Sequence, residues 1–234
     1  MTGGVIAIDG PSASGKSSTA RAVAEALGFA HLDSGALYRG VTLVALREAA
    51  RDGVEHDPLA LGAEAILRAA EDRGLMLQPD GAGFAAYLDG EPVDAALRGA
   101  DVTRHVSAVS AVPVVREWVN ARLRQLVRAG RDVVVDGRDI GTVVFPDADL
   151  KVFLTATPEA RAGRRLNQRG ERIVQEELDR EAAALTRRDA ADSSREVAPL
   201  RRADDAVDLD TTAMSFEEAV DWILDRARQA LGRD

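Results

Sequence analysis

Residues 10–17 read Gly-Pro-Ser-Ala-Ser-Gly-Lys-Ser, a complete G-x-x-x-x-G-K-[ST] motif of the kind that binds phosphate groups. The apolar run of residues 5–8 before it is typical of a buried strand, and the alanine-rich run 18–27 after it favours a helix. In this context the loop N–H groups and the helix N-terminus would hold an anion. A chance glycine-rich turn is the alternative, and both flanking elements argue against it. We therefore predict a site for nucleotide phosphates.

Three side chains suit a complex of Mg²⁺ with a triphosphate. Lys16 can reach the β- and γ-phosphates, and the hydroxyl of Ser17 can be a ligand of Mg²⁺. Asp136 follows a strand candidate with three valines and takes the place of a carboxylate that holds Mg²⁺ directly or through water. A turn that merely uses Asp-Gly is the alternative. Because Arg138 and Asp139 follow at once, we expect this segment to carry function.

A second polar stretch, residues 33–39, reads Asp-Ser-Gly-Ala-Leu-Tyr-Arg and follows the second strand candidate. Ser34, Tyr38 and Arg39 would lie near a helix start at the carboxyl edge of a parallel sheet, where open α/β sheets bind ligands. Ordinary capping and surface residues are the alternative for this stretch.

Arginines are concentrated in residues 158–196, which we expect to form a helical lid. A mobile lid carrying arginines would close over a triphosphate and exclude water. A solvated charged face is the alternative, and for Arg161 and Arg165 both interpretations stay open. The lid candidates are Arg161, Arg164, Arg165, Arg188, Asp189, Asp192 and Arg195. The expected ATP-binding residues are Gly10, Pro11, Ser12, Ala13, Ser14, Gly15, Lys16, Ser17, Ser18 and Arg164.

The chain has three histidines, His31, His56 and His105, and none lies in a catalytic motif. A kinase acting on a sugar hydroxyl needs a base to remove the hydroxyl proton. A phosphate monoester does not, because its second pKa is about 6 and its oxygens are mostly deprotonated at pH 7. Catalysis then consists of alignment and charge neutralisation. The sequence therefore favours a phosphate acceptor over an alcohol.

The overall composition excludes several classes of function. A net charge of −9 argues against broad binding to nucleic acid or to anionic membranes. There is no cysteine and hence no disulfide framework, no apolar run approaches the ~18 residues of a membrane span, and residues 1–4 carry no basic stretch typical of a signal peptide. We expect a cytoplasmic protein. Apart from Lys16 the chain has one lysine, Lys151, and its surroundings do not match the guanine-binding segment of GTPases.

Strand and helix candidates alternate along the chain, which predicts an α/β fold with a five-stranded parallel sheet flanked by helices. Residues 74–95 contain two short strand candidates, residues 75–81 and 84–90, with turns after them. They interrupt this alternation and indicate part of an inserted subdomain within a single domain of residues 1–234. We expect strands at residues 5–8, 29–33, 132–137, 150–154 and 206–210, and helices at residues 18–27, 34–50, 58–73, 113–129, 171–191, after Pro158 and after Ser215.

Four segments together resemble the bacterial cytidylate kinases, which are nucleoside-monophosphate kinases. They are residues 8–12, residues 32–39, residues 135–146, and the Val-Ala-Pro-Leu run at residues 197–200. The resemblance covers nearly the whole chain. It implies transfer of the γ-phosphoryl group of ATP to CMP or dCMP, giving CDP or dCDP and ADP, with Mg²⁺ as the metal.

The same resemblance implies residue roles. Lys16, Arg138 and Arg188 are implied as catalytic residues. Residues 58–112 are implied to be an inserted monophosphate-binding region, and residues 158–196 the lid. The implied CMP contacts are Ser34, Tyr38, Arg39, Ser107, Arg116, Arg138, Asp139, Asp192 and Arg195.

Two other functions remain open at this point. One is a different small-acceptor kinase with the same glycine loop, acting for example on UMP, dTMP or a coenzyme precursor. The other is a nucleotide-binding regulatory module without catalysis. We expect a monomer, because no large exposed apolar stripe is evident.

Overall fold

A computed structural model of the protein describes residues 3–53, 57–81, 83–128 and 130–232. The chain forms two compact units, which we call the core unit (Met1–Leu32 with Gly130–Asp234) and the inserted unit (Asp33–Ala129). In chain order the elements are β1 (Val5–Asp9), α1 (Lys16–Leu27), β2 (Ala30–Asp33), α2 (Ser34–Arg51), α3 (Ala63–Asp72), β3 (Met76–Asp80), β4 (Gly83–Leu88), β5 (Glu91–Pro92), α4 (Asp94–Leu97), α5 (Ala100–Ala111), α6 (Pro113–Val127), β6 (Val133–Gly137), a π-helical turn (Ile140–Val144), β7 (Leu150–Thr155), α7 (Pro158–Arg169), α8 (Gln175–Ser193), β8 (Val207–Asp210) and α9 (Phe216–Leu231).

The sheet of the core unit has the strand order β2-β6-β1-β7-β8. The pairings of β1 with β6 and β7, and of β7 with β8, are parallel. The register places Asp9 opposite Gly137, so the glycine loop after β1 and the Arg138 segment after β6 leave the sheet at the same edge. The five strands expected from the sequence are confirmed, and they bring two candidate sites together.

The core of this unit consists of aliphatic side chains between the sheet and two helices. Ile6, Ile8 and Leu154 from the strands are completely buried with Val23 of α1 and Ile223 of α9. Burying side chains of this size contributes roughly 1.5–3 kcal/mol each. The start of α9 carries the expected capping box, in which Ser215 and Glu218 bond each other's backbone N–H. The sheet edge that carries the motifs is thus supported by an apolar core.

The charged helix expected at residues 171–191 runs instead from Gln175 to Ser193 and packs on α7. A small apolar cluster of Ala162, Ala182 and Leu185 joins the two helices. Charged pairs between the two helices, including that of Arg169 with Glu181, add to this contact.

The inserted unit is built around α2, whose first turn is capped by Asp33 accepting a hydrogen bond from the N–H of Gly35 at 2.8 Å. Helices α3, α5 and α6 pack on α2. The two short strands expected within residues 74–95 are confirmed and form an antiparallel hairpin of β3 and β4, extended by β5. Gly40 lets this helix approach its neighbours closely, because a Cβ there would lie 2.6 Å from the Leu75 side chain.

In this unit one expected helix starts later than predicted, and one helix was not predicted. The helix expected at residues 58–73 begins at Ala63, because Gly62 precedes it with φ of 77°, a left-handed conformation that does not continue a helix. Helix α5 was not expected, since its sequence is rich in valine and polar residues of low helix propensity. Its Val102, Val106 and Val109 are buried at a helical spacing, so tertiary packing on α2 stabilises it.

The other helix ends differ from expectation by a few residues. The helix that starts at Pro113 ends at Val127, and the expected end at Ala129 lies outside the described residues. Among the helices that the structure describes, none is long and apolar enough to cross a bilayer.

Candidate active site

The glycine-rich loop connects β1 to the start of α1. Gly15 precedes the helix with φ of 96°, a left-handed conformation that favours glycine. Gly10 has no room for a side chain, because a Cβ would lie 2.1 Å from the carbonyl oxygen of Leu154. Within the described residues no side-chain hydrogen bond caps this helix start, so its first N–H groups can donate to phosphate oxygens. The loop has the backbone geometry of an anion site.

Two side chains of the loop bond back to its beginning. The Ser14 hydroxyl and the Lys16 ammonium both donate to the carbonyl oxygen of Pro11, at 3.0 and 3.2 Å. Lys16 is only 7% exposed. Its positive charge is therefore held over the loop, where the oxygens of a triphosphate would approach.

Helices α7 and α8 contact this loop through an ion pair. Arg161 Nη1 donates to the carbonyl oxygen of Ser12 at 2.9 Å and to Asp189 Oδ2 at 2.5 Å. Asp189 Oδ1 accepts a hydrogen bond from the Ser12 N–H at 3.2 Å. Because Arg161 is 4% exposed, it does not belong to a solvated charged face.

Arg164 and Arg165 are neighbours on α7 with different surroundings. Arg164 donates to the carbonyl oxygen of Ser14 at 3.0 Å and to both oxygens of Thr211. Arg165 instead pairs with Glu181 of α8 at 3.1 Å, and burial lowers the pKa of its guanidinium below the ordinary value. Arg164 thus lies beside the glycine loop, whereas Arg165 links the two helices to each other.

Asp136 at the end of β6 is 1% exposed and has a partner on each carboxylate oxygen. Ser17 Oγ donates to Oδ2 at 2.5 Å, and His31 Nε2 lies 2.8 Å from Oδ1. Burial acts to raise the pKa of Asp136, but the hydrogen bond and charge of His31, together with Lys16 and Ser17, hold it below its ordinary value. The side chain is therefore a carboxylate at neutral pH.

The paired oxygens of Ser17 and Asp136 fit a small hard cation. Mg²⁺ takes oxygen ligands, and in nucleotide sites one or two come from the protein while others come from phosphates and water. The part of the chain that the structure describes has no group of three or more His, Cys, Asp or Glu able to hold a metal. The donor set therefore suits a Mg²⁺ that arrives with a phosphate ligand.

Asp192 of α8 joins two arginines that the sequence analysis assigned to the acceptor. Arg138 Nε donates to Asp192 Oδ2 at 3.0 Å, and Arg195 Nη2 donates to Asp192 Oδ1. The Asp192 side chain is only 2% exposed, and Asp139 next to Arg138 is also buried. A carboxylate between two guanidinium groups fixes their positions, and guanidinium groups so placed suit a phosphate.

Asp9 holds the backbone that follows Arg138 and Asp139. Its Oδ1 and Oδ2 accept hydrogen bonds from the N–H groups of Ile140 and Gly141, each at 2.8 Å. Burial raises the pKa of Asp9 from 3.8 to about 6, against the lowering effect of these two hydrogen bonds. The strand that leads into the glycine loop thus also positions the backbone that follows Arg138 and Asp139.

Five of the predicted CMP contacts lie on helices of the inserted unit, namely Ser34, Tyr38, Arg39, Ser107 and Arg116. The Arg116 guanidinium carbon lies 5.3 Å from the centre of the Tyr38 ring, and Arg116 Nη1 donates to the carbonyl oxygen of Ser110 at 3.0 Å. The Tyr38 hydroxyl lies 3.4 Å from Asn120 Oδ1. Arg116 is 2% exposed, which shows a cation held in place by the fold. Ser34 is buried at the start of the same helix as Tyr38.

Arg39 bonds residues of α4 and α5, and Ser107 lies on α5. Arg39 Nη1 donates to the carbonyl oxygen of Leu97 and to Thr103 Oγ1, both at 3.1 Å. Ser107 lies one helical turn after Thr103 and is half-buried. Arg39 and Ser107 are thus placed by the same helix, which the sequence did not predict.

Several residues of these clusters were missed by sequence reasoning. Asp9 had a signal, because it ends a strand directly before the glycine loop. The others bond residues that are distant in the chain, and nothing in their local sequence indicates this. They are His31, Thr103, Asn120 and Thr211.

Comparison with known proteins identifies one family. The cytidylate kinase family model matches residues 6–229. The chain is 43% identical over 221 residues to a cytidylate kinase of Streptomyces griseus subsp. griseus, covering 94% of this chain and 90% of that protein. It is 42% identical over 228 residues to a cytidylate kinase of Geobacillus kaustophilus, covering 97% of each.

A solved structure shares the fold at low sequence identity. It is that of an uncharacterized protein from Eubacterium ventriosum, with a TM-score of 0.51 and 13% identity, covering 97% of this chain and 98% of that chain. The likeness concerns the α/β fold alone.

Proposed function

This chain belongs to the cytidylate kinase family, and from that premise we propose that it transfers the γ-phosphoryl group of ATP to CMP or dCMP, giving CDP or dCDP and ADP. One observation in the structure supports this proposal most. The core unit carries a phosphate-binding glycine loop and Arg138 on segments that leave the sheet at one edge, and Asp192 bonds Arg138 together with Arg195. A kinase whose acceptor is itself a phosphate needs two such anion sites.

The donor is assigned to the glycine loop. Its N–H groups bind the phosphates of ATP, and Lys16 neutralises charge on the β- and γ-phosphates. Arg164, fixed on Ser14 and Thr211 beside the loop, joins this site. The ATP-binding residues are proposed to be Gly10, Pro11, Ser12, Ala13, Ser14, Gly15, Lys16, Ser17, Ser18 and Arg164.

The proposed acceptor contacts include arginines that the fold holds in place: in the core unit Arg138 and Arg195 bond Asp192, and in the inserted unit Arg116 bonds the backbone of Ser110. Guanidinium groups neutralise the acceptor phosphate and hold it for attack, and Arg138 and Arg188 act with Lys16 as catalytic residues. No protein base is required, because the acceptor oxygen is already deprotonated at pH 7. The proposed CMP contacts are Ser34, Tyr38, Arg39, Ser107, Arg116, Arg138, Asp139, Asp192 and Arg195.

Ser17 and Asp136 are proposed to hold Mg²⁺, Asp136 directly or through water. When bound with ATP, Mg²⁺ neutralises phosphate charge and fixes the orientation of the triphosphate. The ionised state of Asp136 supports this role.

The organisation of the chain around these sites is also part of the proposal. Residues 58–112 are assigned as the monophosphate-binding region and residues 158–196 as the lid of a single kinase domain. We propose a monomer, which sedimentation would test. We propose a cytoplasmic location because ATP and CMP are its proposed substrates.

A coupled assay of ADP release tests the function directly. The protein is given ATP·Mg²⁺ with CMP, dCMP, UMP, AMP, GMP or dTMP in turn. We expect turnover with CMP and dCMP well above that with the other four. Faster turnover with UMP or dTMP would assign the chain to a different small acceptor, and tight nucleotide binding without turnover would show a regulatory module.

A further inference from the structure

His31 is a buried histidine that has no part in the proposed reaction as described above. It lies on β2, next to the strand β6 that carries Asp136, and its side chain is 8% exposed. Its neighbour Leu32 is completely buried, so this strand is covered on both faces. A buried imidazole needs a hydrogen-bond partner, and the partner here is a carboxylate.

The contact between His31 and Asp136 has a defined donor. Nε2 lies 2.8 Å from Asp136 Oδ1. Because an ionised carboxylate only accepts hydrogen bonds, Nε2 must carry the hydrogen. Ser17 occupies the other oxygen, Oδ2, from the start of α1. Asp136 is thus held by two donors that come from different elements and bond different oxygens.

Two donors on separate oxygens fix the rotation of a carboxylate about its terminal bond. With the His31 donor removed, Asp136 could rotate away from Ser17, and Oδ1 would lose a hydrogen bond at a buried position. Groups that orient a metal-binding side chain in this way change metal affinity or activity by about 10–100-fold when they are mutated.

We propose that His31 is a positioning residue for Asp136, fixing through its Nε2–H the orientation in which Asp136 and Ser17 receive the Mg²⁺ of the ATP complex. This inference rests on the proposed function, because it gives Asp136 and Ser17 the Mg²⁺ role. The alternative is that His31 merely fills space between β2 and its neighbours and that any polar side chain of fitting size serves equally well.

Two amide variants separate these possibilities. His31→Gln places an amide N–H as many bonds from the backbone as Nε2, whereas His31→Asn has the same amide one methylene shorter and does not reach Oδ1. We expect His31→Gln to stay near the wild type. We expect His31→Asn and His31→Leu to raise the Mg²⁺ concentration for half-maximal rate by about 10–100-fold with little change in the KM for CMP.

Thermal unfolding shows whether each variant is folded, and the comparison of His31→Gln with His31→Asn holds even if His31→Leu is not. His105→Gln is the matched control, because His105 Nδ1 contacts only the backbone oxygen of Asp101 in the described structure. It should leave the Mg²⁺ dependence unchanged. Equal Mg²⁺ dependence of His31→Gln and His31→Asn would overturn the positioning role.

A second measurement needs neither metal nor turnover. In protein labelled with ¹⁵N-histidine and free of Mg²⁺, the His31 resonance is assigned from its loss in His31→Gln. We expect a ring that carries a hydrogen on Nε2, and a shift of this signal in Asp136→Ala while the His105 signal stays in place. A ring without hydrogen on Nε2, or a signal insensitive to Asp136→Ala, overturns the inference.

The two proposals fail in different ways. A wild type that releases no ADP with CMP overturns the proposed function, and the Mg²⁺ role of His31 falls with it. A wild type that is active on CMP, with His31→Asn and His31→Leu at wild-type Mg²⁺ dependence, overturns the role of His31 alone.

Discussion

Arg161 and Asp189 form an ion pair at 2.5 Å, and both side chains also bond the backbone of Ser12. Arg161 donates to the Ser12 carbonyl oxygen, and Asp189 accepts a hydrogen bond from the Ser12 N–H. The side chains are 5% and 17% exposed. The tip of the glycine loop is therefore fixed to α7 and α8. The catalytic candidate Arg188 precedes Asp189 on α8, so the pair also connects the loop to the part of α8 that carries this arginine.

Replacing Asp189 with alanine should be costly for both stability and ATP binding. It leaves the buried Arg161 charge without its carboxylate, and breaking a buried pair in this way costs about 3–5 kcal/mol. We expect the KM for ATP to rise and the KM for CMP to change less, measured by steady-state kinetics and urea unfolding. Glu176→Ala is the matched control, because its pair with Arg180 is exposed and such pairs contribute about 0.2–1 kcal/mol. Equal losses in the two variants would contradict the role of the buried pair.

The two lysines of the chain allow a direct contrast between function and stability. Lys16→Ala should lower kcat by about 10²–10³-fold, as for a lost charge-stabilising donor, with a modest loss of stability. Lys151 is buried and bonds both oxygens of Asp205. Lys151→Ala should therefore lower the free energy of unfolding while the folded fraction keeps its kcat. A Lys16→Ala variant with wild-type turnover would remove Lys16 from the mechanism.

Arg188 is expected to reach the transferring phosphoryl group. Arginines in that role contribute about 10³–10⁵-fold to the rate of phosphoryl transfer. Arg188→Ala should lose activity on that scale in the coupled assay while unfolding close to the wild type. The adjacent Arg187 is exposed, and Arg187→Ala should be nearly neutral. A comparable loss in both variants would point to general damage to α8.

The stability of the protein should carry a pH dependence from Asp9. Since burial raises the pKa of Asp9 to about 6, the folded state binds this proton more tightly than the unfolded state, with its ordinary value of 3.8. The contribution of Asp9 to stability is therefore full below about pH 4 and is lost as the pH rises through 6. The loss amounts to up to about 3 kcal/mol, since each pKa unit corresponds to about 1.4 kcal/mol.

Urea unfolding of the wild type and of Asp9→Asn between pH 4 and 7 measures this dependence. Asparagine does not titrate. The free energy of unfolding of the variant, relative to that of the wild type, should therefore increase as the pH rises. The variant also loses an acceptor for Ile140 or Gly141, which lowers its stability at every pH. A difference that stays constant over this range would show that Asp9 titrates normally.

The preference for cytosine is expected to depend on Ser107. Loss of one hydrogen bond to the base should reduce the ratio of kcat/KM for CMP over UMP by about tenfold in Ser107→Ala. Ser110 lies one turn further on α5, and its hydroxyl bonds the Ser107 carbonyl oxygen at 3.2 Å. Ser110→Ala should therefore leave the preference unchanged. An unchanged ratio in Ser107→Ala would show that another residue selects the base.

Local sequence determined much of this protein. The glycine loop, the strand before it and the helix after it are specified by a motif, by β-branched residues and by a left-handed glycine at position 15. The five strands of the core unit and the capping box of Ser215 and Glu218 follow from similarly short-range patterns. Such signals are readable because the groups that interact are close in the chain.

Tertiary structure alone decided how the site residues are held. His31 and Asp136 are 105 residues apart, and Ser12 and Asp189 are 177 apart, so no local pattern pairs them. Helix α5 likewise forms where its valines pack on α2, against its weak propensity. These contacts depend on which strands are neighbours in the sheet and on which helices cover it. That arrangement is fixed when the apolar core forms, because polar groups that become buried must then find hydrogen-bond partners.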